Sequence, residues 1–161
     1  MQTAQFPPDE TERLAALHEL LLLDSEPEQR FNLIVDYAAS EFGVPICLMT
    51  LLDHERQWFK ARVGLPVCST PRDISFCSHA ILRPEVMVVP DAAADPRFAD
   101  NPLVTSEPYI RFYAGAPLIL PSGHALGTLC LIDTVPRTLD QTERNLLESM
   151  RDMVMRELSG R

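Results

Sequence analysis

The sequence predicts an α/β protein of the segregated α+β type, built on a central antiparallel β-sheet. Terminal helices cover one face of that sheet, and a region of loops and short helices covers the other. Three observations carry this expectation. Long amphipathic helical patterns occur only near the two ends of the chain. The apolar runs between them come in pairs joined by short polar links, which mark hairpins rather than parallel crossovers. The middle, from Leu65 to Phe112, is rich in Pro, Asp and Arg, as suits loops laid over a scaffold built elsewhere.

Residues 1–8 show no periodicity and are expected to fray, whereas residues 9–161 read as a single domain. Asp9 and Glu12 suit the start of a first helix with Leu14, Leu17 and Leu21 on one side. Ser25 and Glu28 form a capping-box pattern, with Pro27 tolerated in the first turn. Phe31, Ile34, Val35, Ala38, Ala39 and Phe42 follow at helical spacing until Gly43 ends the helix. Val44–Leu52 is apolar in both of its alternating sets, which predicts a central strand covered on both sides, with Pro45 at its start. After the polar turn 53–56, Gln57–Val63 returns as the partner strand and Gly64 ends it. Val86–Val89 is a short β-branched run. Ala114–Leu120 and Ala125–Ile132 flank the tight link Pro121-Ser-Gly-His124. Thr138 and Gln141 form a capping-box pattern before a last helix that carries Leu146, Leu147, Met150, Met153, Val154 and Leu158 on one side.

A chain of 161 residues can bury one sizeable core without disulfides or metals. Its net charge of -9 disfavours nucleic acid and anionic lipid as partners. The cysteines at 47, 68, 77 and 130 form no CxxC pair and no zinc spacing. No signal peptide and no membrane-length apolar run is visible, so free thiols in the cytoplasm are expected.

The segment Pro71-Arg-Asp-Ile-Ser-Phe-Cys-Ser-His-Ala-Ile81 places a thiol and an imidazole two residues apart. On a short helix capped by Asp73, Cys77 and His79 would point about 200° apart; on an extended backbone they would share a face. A nucleophile pair, a stretch of pocket wall, and a packed thiol beside a hydrogen-bonded histidine all remain open. A nucleophile pair would need contact and a third orienting group, which Asp91 or Asp95 would supply. No metal is expected, because Cys68 and Cys77 are too far apart for a short zinc spacing. Asp95-Pro-Arg-Phe98 suits an Asx-capped turn with Phe98 anchored in the core; either Asp95 holds its own loop, or the first-turn N–H groups and Arg97 receive an anion. Tyr109, Phe112 and Tyr113 either floor a pocket or close the core. Trp58, Lys60 and Arg62 alternate on their strand as a partly exposed packing face. Signature loops of nucleotide-binding and common hydrolytic enzymes are absent. Met153 and Met155 widen the apolar side of the last helix, which suits a homodimer through the terminal helices.

Taken together, several motifs resemble those of GAF domains, in particular the subset often found N-terminal to histidine kinase or diguanylate cyclase domains. They are Leu23-Asp-Ser-Glu-Pro-Glu28 with Phe31, Gln57-Trp-Phe-Lys60, Gly64-Leu65, Thr70-Pro-Arg72, Ser75-Phe-Cys-Ser-His-Ala-Ile81, Asp91-x-x-x-Asp95-Pro-Arg-Phe98, Asn101-Pro-Leu-Val104, Arg111-Phe-Tyr-Ala-Gly115 and Gly127-Thr-Leu-Cys-Leu-Ile-Asp133. The resemblance spans residues 20–158. It implies a sensory or regulatory small-molecule-binding domain in signal transduction, without catalysis of its own, and a possible downstream signalling protein as partner. It also implies a pocket wall drawing on Phe76, Cys77, His79, Asp91, Asp95, Phe98 and Tyr113. No cofactor follows, since members of the family bind cyclic nucleotides, tetrapyrroles or haem through different residues. Ser78 separates Cys77 from His79, which departs from the adjacent pair of tetrapyrrole-binding members. A thiol-dependent free methionine sulfoxide reductase and a ligand-free dimerisation module are the alternatives. No output module accompanies the domain within these residues, so a stand-alone regulator and a fragment of a longer protein both fit.

Overall fold

A computed structural model describes residues 1–160; Arg161, the last residue of the expected domain, lies outside the described residues. The chain runs α1 (Glu10–Glu19), α2 (Gln29–Phe42), β1 (Ile46–Leu52), β2 (Arg56–Val63), β3 (Ser69–Pro71), α3 (Cys77–Ala80), β4 (Met87–Val89), α4 (Pro102–Thr105), β5 (Phe112–Ile119), β6 (Ala125–Asp133) and α5 (Gln141–Ser159). Turns of 3-10 helix occupy Arg72–Ile74 and Ala92–Ala94. All six strands form one antiparallel sheet in the order β3-β2-β1-β6-β5-β4.

Every residue of β1 and β6 is buried, as expected for strands apolar in both alternating sets. Cys47, Met49 and Leu51 of β1, with Leu129 and Leu131 of β6, pack beneath the helices. Ile46, Leu48, Cys130 and Ile132 point the other way, into a second core closed by Phe76, Phe98, Val104 and Ile110 from the loops. Helix α2 buries the six apolar residues read from its spacing and ends at Gly43, whose left-handed φ of 64° a glycine adopts without strain. Helix α5 buries Leu147, Met150, Val154 and Leu158 in the same layer. Gly127 lies opposite Leu51 where β6 pairs with β1. A Cβ there would collide with the Thr50 carbonyl, so only glycine fits.

Tertiary contacts overrule several local expectations. Ser25 caps no helix: α2 starts at Gln29, and Glu28 precedes it without a side-chain cap. Ser25 and Glu28 instead hold Lys60, which is the extra residue of a β-bulge, since Met49 pairs with Ala61 while Thr50 pairs with Phe59. The ammonium is buried and has three donors to satisfy. It reaches Ser25 Oγ at 2.6 Å, the Glu26 carbonyl at 2.6 Å and Glu28 Oε2 at 2.8 Å. The sequence motifs around Ser25 and Lys60 are thus two halves of one contact. Trp58 is buried on the helix side rather than partly exposed, and of its two cationic neighbours only Arg62 reaches solvent.

At the last helix, the capping box belongs to Asp140 and Glu143, not to Thr138 and Gln141. Asp9 gives α1 no side-chain cap, because its carboxylate accepts from His124 Nδ1 at 2.6 Å. Leu21 falls beyond α1 with a φ of 55° and is exposed. Arg13 is buried in that helix along with Leu17. Residues 1–8 hold no strand and almost no helix, yet they make defined contacts. Gln2 N–H donates to the Arg97 carbonyl at 3.0 Å, and Arg72 lies 4.4 Å over the Phe6 ring.

Replacing Lys60 with Met keeps the stem but strands its three acceptors, of which Glu28 is part-exposed. Urea unfolding should show a loss of about 2 kcal/mol.

Candidate functional site: a cavity on the loop face

The loops over the second sheet face partly enclose a cavity of about 440 Å³. Strand residues Leu48, Phe59, Tyr113, Cys130 and Ile132 form its floor. Phe76 forms one wall, and Leu65–Val67 with Leu103, Glu107, Pro108 and Ile110 close over it, whereas Tyr109 is exposed and lies outside the lining. Gln57 and Thr70 bring polar atoms to the β2–β3 side, where Gln57 Nε2 donates to Thr70 Oγ1 at 2.8 Å. A larger groove of about 620 Å³ runs along β2 beside Lys60 and Cys68, but it lies more open to solvent. Enclosure and an apolar wall with few polar groups favour the smaller space as a ligand site.

Side chains that serve backbone groups hold these loops in place. Asn101 Oδ1 accepts from Leu103 N–H at 2.9 Å, capping α4, while its Nδ2 donates to the Ile74 carbonyl at 3.0 Å. That pair ties α4 to the turn that delivers Phe76. Arg111 Nη1 donates to the carbonyls of Val104 and Ile110. Phe76 stacks on Phe98 with ring centres 4.1 Å apart and leans on Tyr113 at 5.2 Å. Phe76 therefore stands rigidly between the cavity and the core behind it.

Of the seven residues expected on the pocket wall, Phe76 and Tyr113 line the cavity and Phe98 backs it. The other four lie elsewhere. Cys77 opens α3 and packs with Leu52, Ile81 and Ala125. His79 Nε2 pairs with the Gln2 carbonyl at 3.0 Å, and its ring meets Phe98 edge-on at 4.9 Å. Burial lowers its pKa, opposed by that bond to Gln2. Cys77 and His79 thus engage separate partners. Asp91 accepts from Ala93 N–H at 3.1 Å and caps a 3-10 turn. Asp95 accepts from Arg97 through the backbone N–H and both Nε and Nη2, so the pair closes on itself. Among the described residues, no group of three His, Cys, Asp or Glu side chains converges as a metal site.

Sequence reasoning missed Gln57, Thr70, Leu65–Val67 and Glu107. One signal was available: Gln57 alternates with Phe59 on an otherwise apolar face, and an amide in that position requires a partner or a ligand.

Thiol chemistry is restrained here. Burial pushes Cys77 up to about 11, against hydrogen bonds to Thr50 and Ser75 and the nearby charges of Arg13 and Arg72. Burial pushes Cys47 up to about 12 and raises Cys130, the one cysteine lining the cavity, well above the usual thiol range. Cys68 is exposed.

One ionic cluster joins this side of the molecule to α1. Arg72 follows Thr70 by two residues and donates through Nη1 to Glu10 Oε2 at 2.7 Å and to the Asp53 carbonyl at 3.0 Å. Arg13 Nε donates to Glu10 Oε1 at 3.0 Å, and its Nη1 to the Ala125 carbonyl at 3.2 Å. Burial alone would raise the Glu10 carboxyl, but the hydrogen bonds from Arg72 and Arg13 outweigh it and the pKa falls below its ordinary 4.5.

Comparison with known proteins adds the family. The model for the family described as GAF domain matches residues 26–158. The chain is 47% identical over 156 residues to a cyclic di-GMP phosphodiesterase of Pseudomonas aeruginosa. That match covers 96% of this chain, which spans about a quarter (27%) of the relative's length. Among solved structures, the GAF domain of an Acinetobacter phosphoenolpyruvate-protein phosphotransferase superposes with a TM-score of 0.65 at 17% identity, covering 92% of this chain and 94% of that one. A free methionine-R-sulfoxide reductase of Neisseria meningitidis superposes with a TM-score of 0.66 at 17% identity, covering 99% and 96%. At such identities these two structures show the fold alone.

Two outcomes follow. Iodoacetamide at pH 8 should label native protein at Cys68 only, with the three buried thiols reacting after denaturation, as read by intact mass. The depressed Glu10 carboxyl contributes stability above pH 4.5, and that contribution fades as pH falls through its lower folded value. Urea titrations from pH 6 to pH 3 should therefore show the stability gap between wild type and Glu10→Gln narrowing toward the acid end.

Proposed function

The chain belongs to the GAF domain family, a family of sensory and regulatory modules, and we propose that it acts in signal transduction by binding a small molecule in the loop-face cavity without catalysing a reaction. The observation that carries the proposal is the cavity itself: partly enclosed, largely apolar, and furnished with a few fixed polar atoms. The sulfoxide reductase alternative requires a thiolate beside its substrate. The thiol facing the cavity is Cys130, and burial keeps it protonated, which favours binding over turnover. In the whole protein, the proposed role of this domain is to regulate an output such as the cyclic di-GMP hydrolysis named for the Pseudomonas aeruginosa relative.

The proposal includes a homodimer through the terminal helices. Leu33 and Tyr37, one turn apart on α2, are 57% and 51% exposed, and Met153 of α5 adds further exposed apolar surface. It also includes a cytoplasmic location and a downstream signalling protein, rather than nucleic acid or membrane, as partner. The net charge of -9 supports the exclusion of nucleic acid. Among the described residues, no helix is long and apolar enough to cross a membrane.

Native mass spectrometry of freshly purified protein should show a dimer and retained ligand. Leu33→Glu combined with Tyr37→Glu should yield monomers in sedimentation velocity. A metabolite thermal-shift screen should yield compounds that raise Tm by about 5–10 °C at a hundredfold excess over Kd, with the shift lost in Cys130→Phe, which fills the cavity. A silent screen together with no retained mass would sink the proposal, as would turnover of free methionine sulfoxide with a thiol reductant.

A further inference from the structure

The charge of the cavity narrows what it can hold. No Lys, Arg or His lines it, and its one carboxylate is Glu107, on the exposed rim. Of the nearby cations, Arg72 is engaged with Glu10 and the Asp53 carbonyl, Arg97 with Asp95, and Arg111 with the carbonyls of Val104 and Ile110, while Arg62, opposite Leu48 in the β1–β2 register, is exposed and lies outside the cavity lining. A phosphate or carboxylate entering here would shed its water and meet no cation among the lining residues, with a like charge at the entrance. The polar groups that are available suit a different ligand. Gln57 Nε2 is held by Thr70 Oγ1, and among the described residues the Gln57 amide oxygen accepts no hydrogen bond. Thr70, an acceptor in that bond, keeps its hydroxyl proton as a donor. Phe59, Phe76 and Tyr113 bring three aromatic rings to the same space.

We propose that the cavity takes an uncharged or cationic, largely aromatic small molecule that directs a hydrogen-bond donor at Gln57. Anions are excluded, cyclic dinucleotides among them. This inference rests on the reading of the cavity as a ligand site and gives that site its chemical selectivity. If the whole protein acts on a cyclic dinucleotide, the molecule sensed here is a different one, so this domain reports something other than the substrate level.

The test uses one ring system at three charges. Indole, tryptamine and indole-3-acetate are titrated calorimetrically into the intact chain, with cyclic di-GMP as a fourth probe. Indole and tryptamine should bind, indole-3-acetate at least about tenfold more weakly than tryptamine, and cyclic di-GMP should give no heat. Glu107→Gln should shrink the gap between tryptamine and indole-3-acetate. Gln57→Leu should weaken indole about fivefold, the loss of one neutral hydrogen bond. Urea unfolding verifies that the variant is folded, and Thr70→Val, which releases the Gln57 amide, provides a second variant expected to weaken indole. Binding of indole-3-acetate or cyclic di-GMP as tight as that of indole would overturn the selectivity while upholding a ligand cavity. No binding by any of the four would overturn the inference, and the ligand reading would then stand or fall on the mass found with the purified protein.

Discussion

The β1–β6 pair has no solvent face, and the rest of the molecule answers to that constraint. Two adjacent strands apolar on both sides need two covers. Helices α2 and α5 supply one, because an apolar stripe on a helix packs against a sheet with few gaps. The chain between β2 and β5 supplies the other, and loops fill space less evenly. Their backbone N–H and C=O groups require partners, so polar side chains near them are drawn into that work. Asn101 caps α4, Arg111 collects carbonyls, Asp91 caps a turn and Asp95 fixes Arg97. The space beneath is left to apolar residues and to the Gln57–Thr70 pair. The cavity is what remains when a sheet face is covered by segments that satisfy their own backbone first.

The buried cations follow a similar logic. Lys60, Arg13 and Arg72 all lie in the interior, and each is held by a carboxylate and by backbone carbonyls. Such pairs gain little over apolar packing in net stability, but losing one partner is costly, which makes them determinants of arrangement. Lys60 sets where the irregular segment before α2 must lie. Arg72 and Arg13 fix α1 against the end of β3 and the start of β6. Thr70, on the cavity, is two residues from Arg72, so a shift of β3 on ligand entry would reach α1 through one side chain.

How much of this was legible in the sequence varies with how local the cause is. The periodicity of α2 and α5, the double-sided apolar runs of β1 and β6, and the turn between β5 and β6 were readable, because each arises within a single element; the burial found follows them except on α5, where Met153 stays exposed and Leu146 only part-buried. The caps misled. Asp9, Ser25 and Thr138 each sit where an N-cap would, yet His124, Lys60 and the better-placed Asp140 decide their fates. The family resemblance implied Asp91 and Asp95 on the pocket wall, but they hold the loops, as the residues themselves suggested for Asp95.

By itself, then, the sequence determined the long helices, every strand but β3, and the two-sided sheet, since those depend on spacing along the chain, whereas β3 and α4 are too short to show a period. Only the tertiary structure decided which side chains meet at the cavity. Gln57 and Thr70 face each other because β2 and β3 pair in that register, and the Lys60 bulge sets which β2 residues face the cavity. Glu107 reaches the rim because α4 is tied to Ile74 through Asn101. Contacts between residues distant in sequence leave no periodic trace, because a single residue type satisfies many alternative partners until the backbone brings one of them within reach.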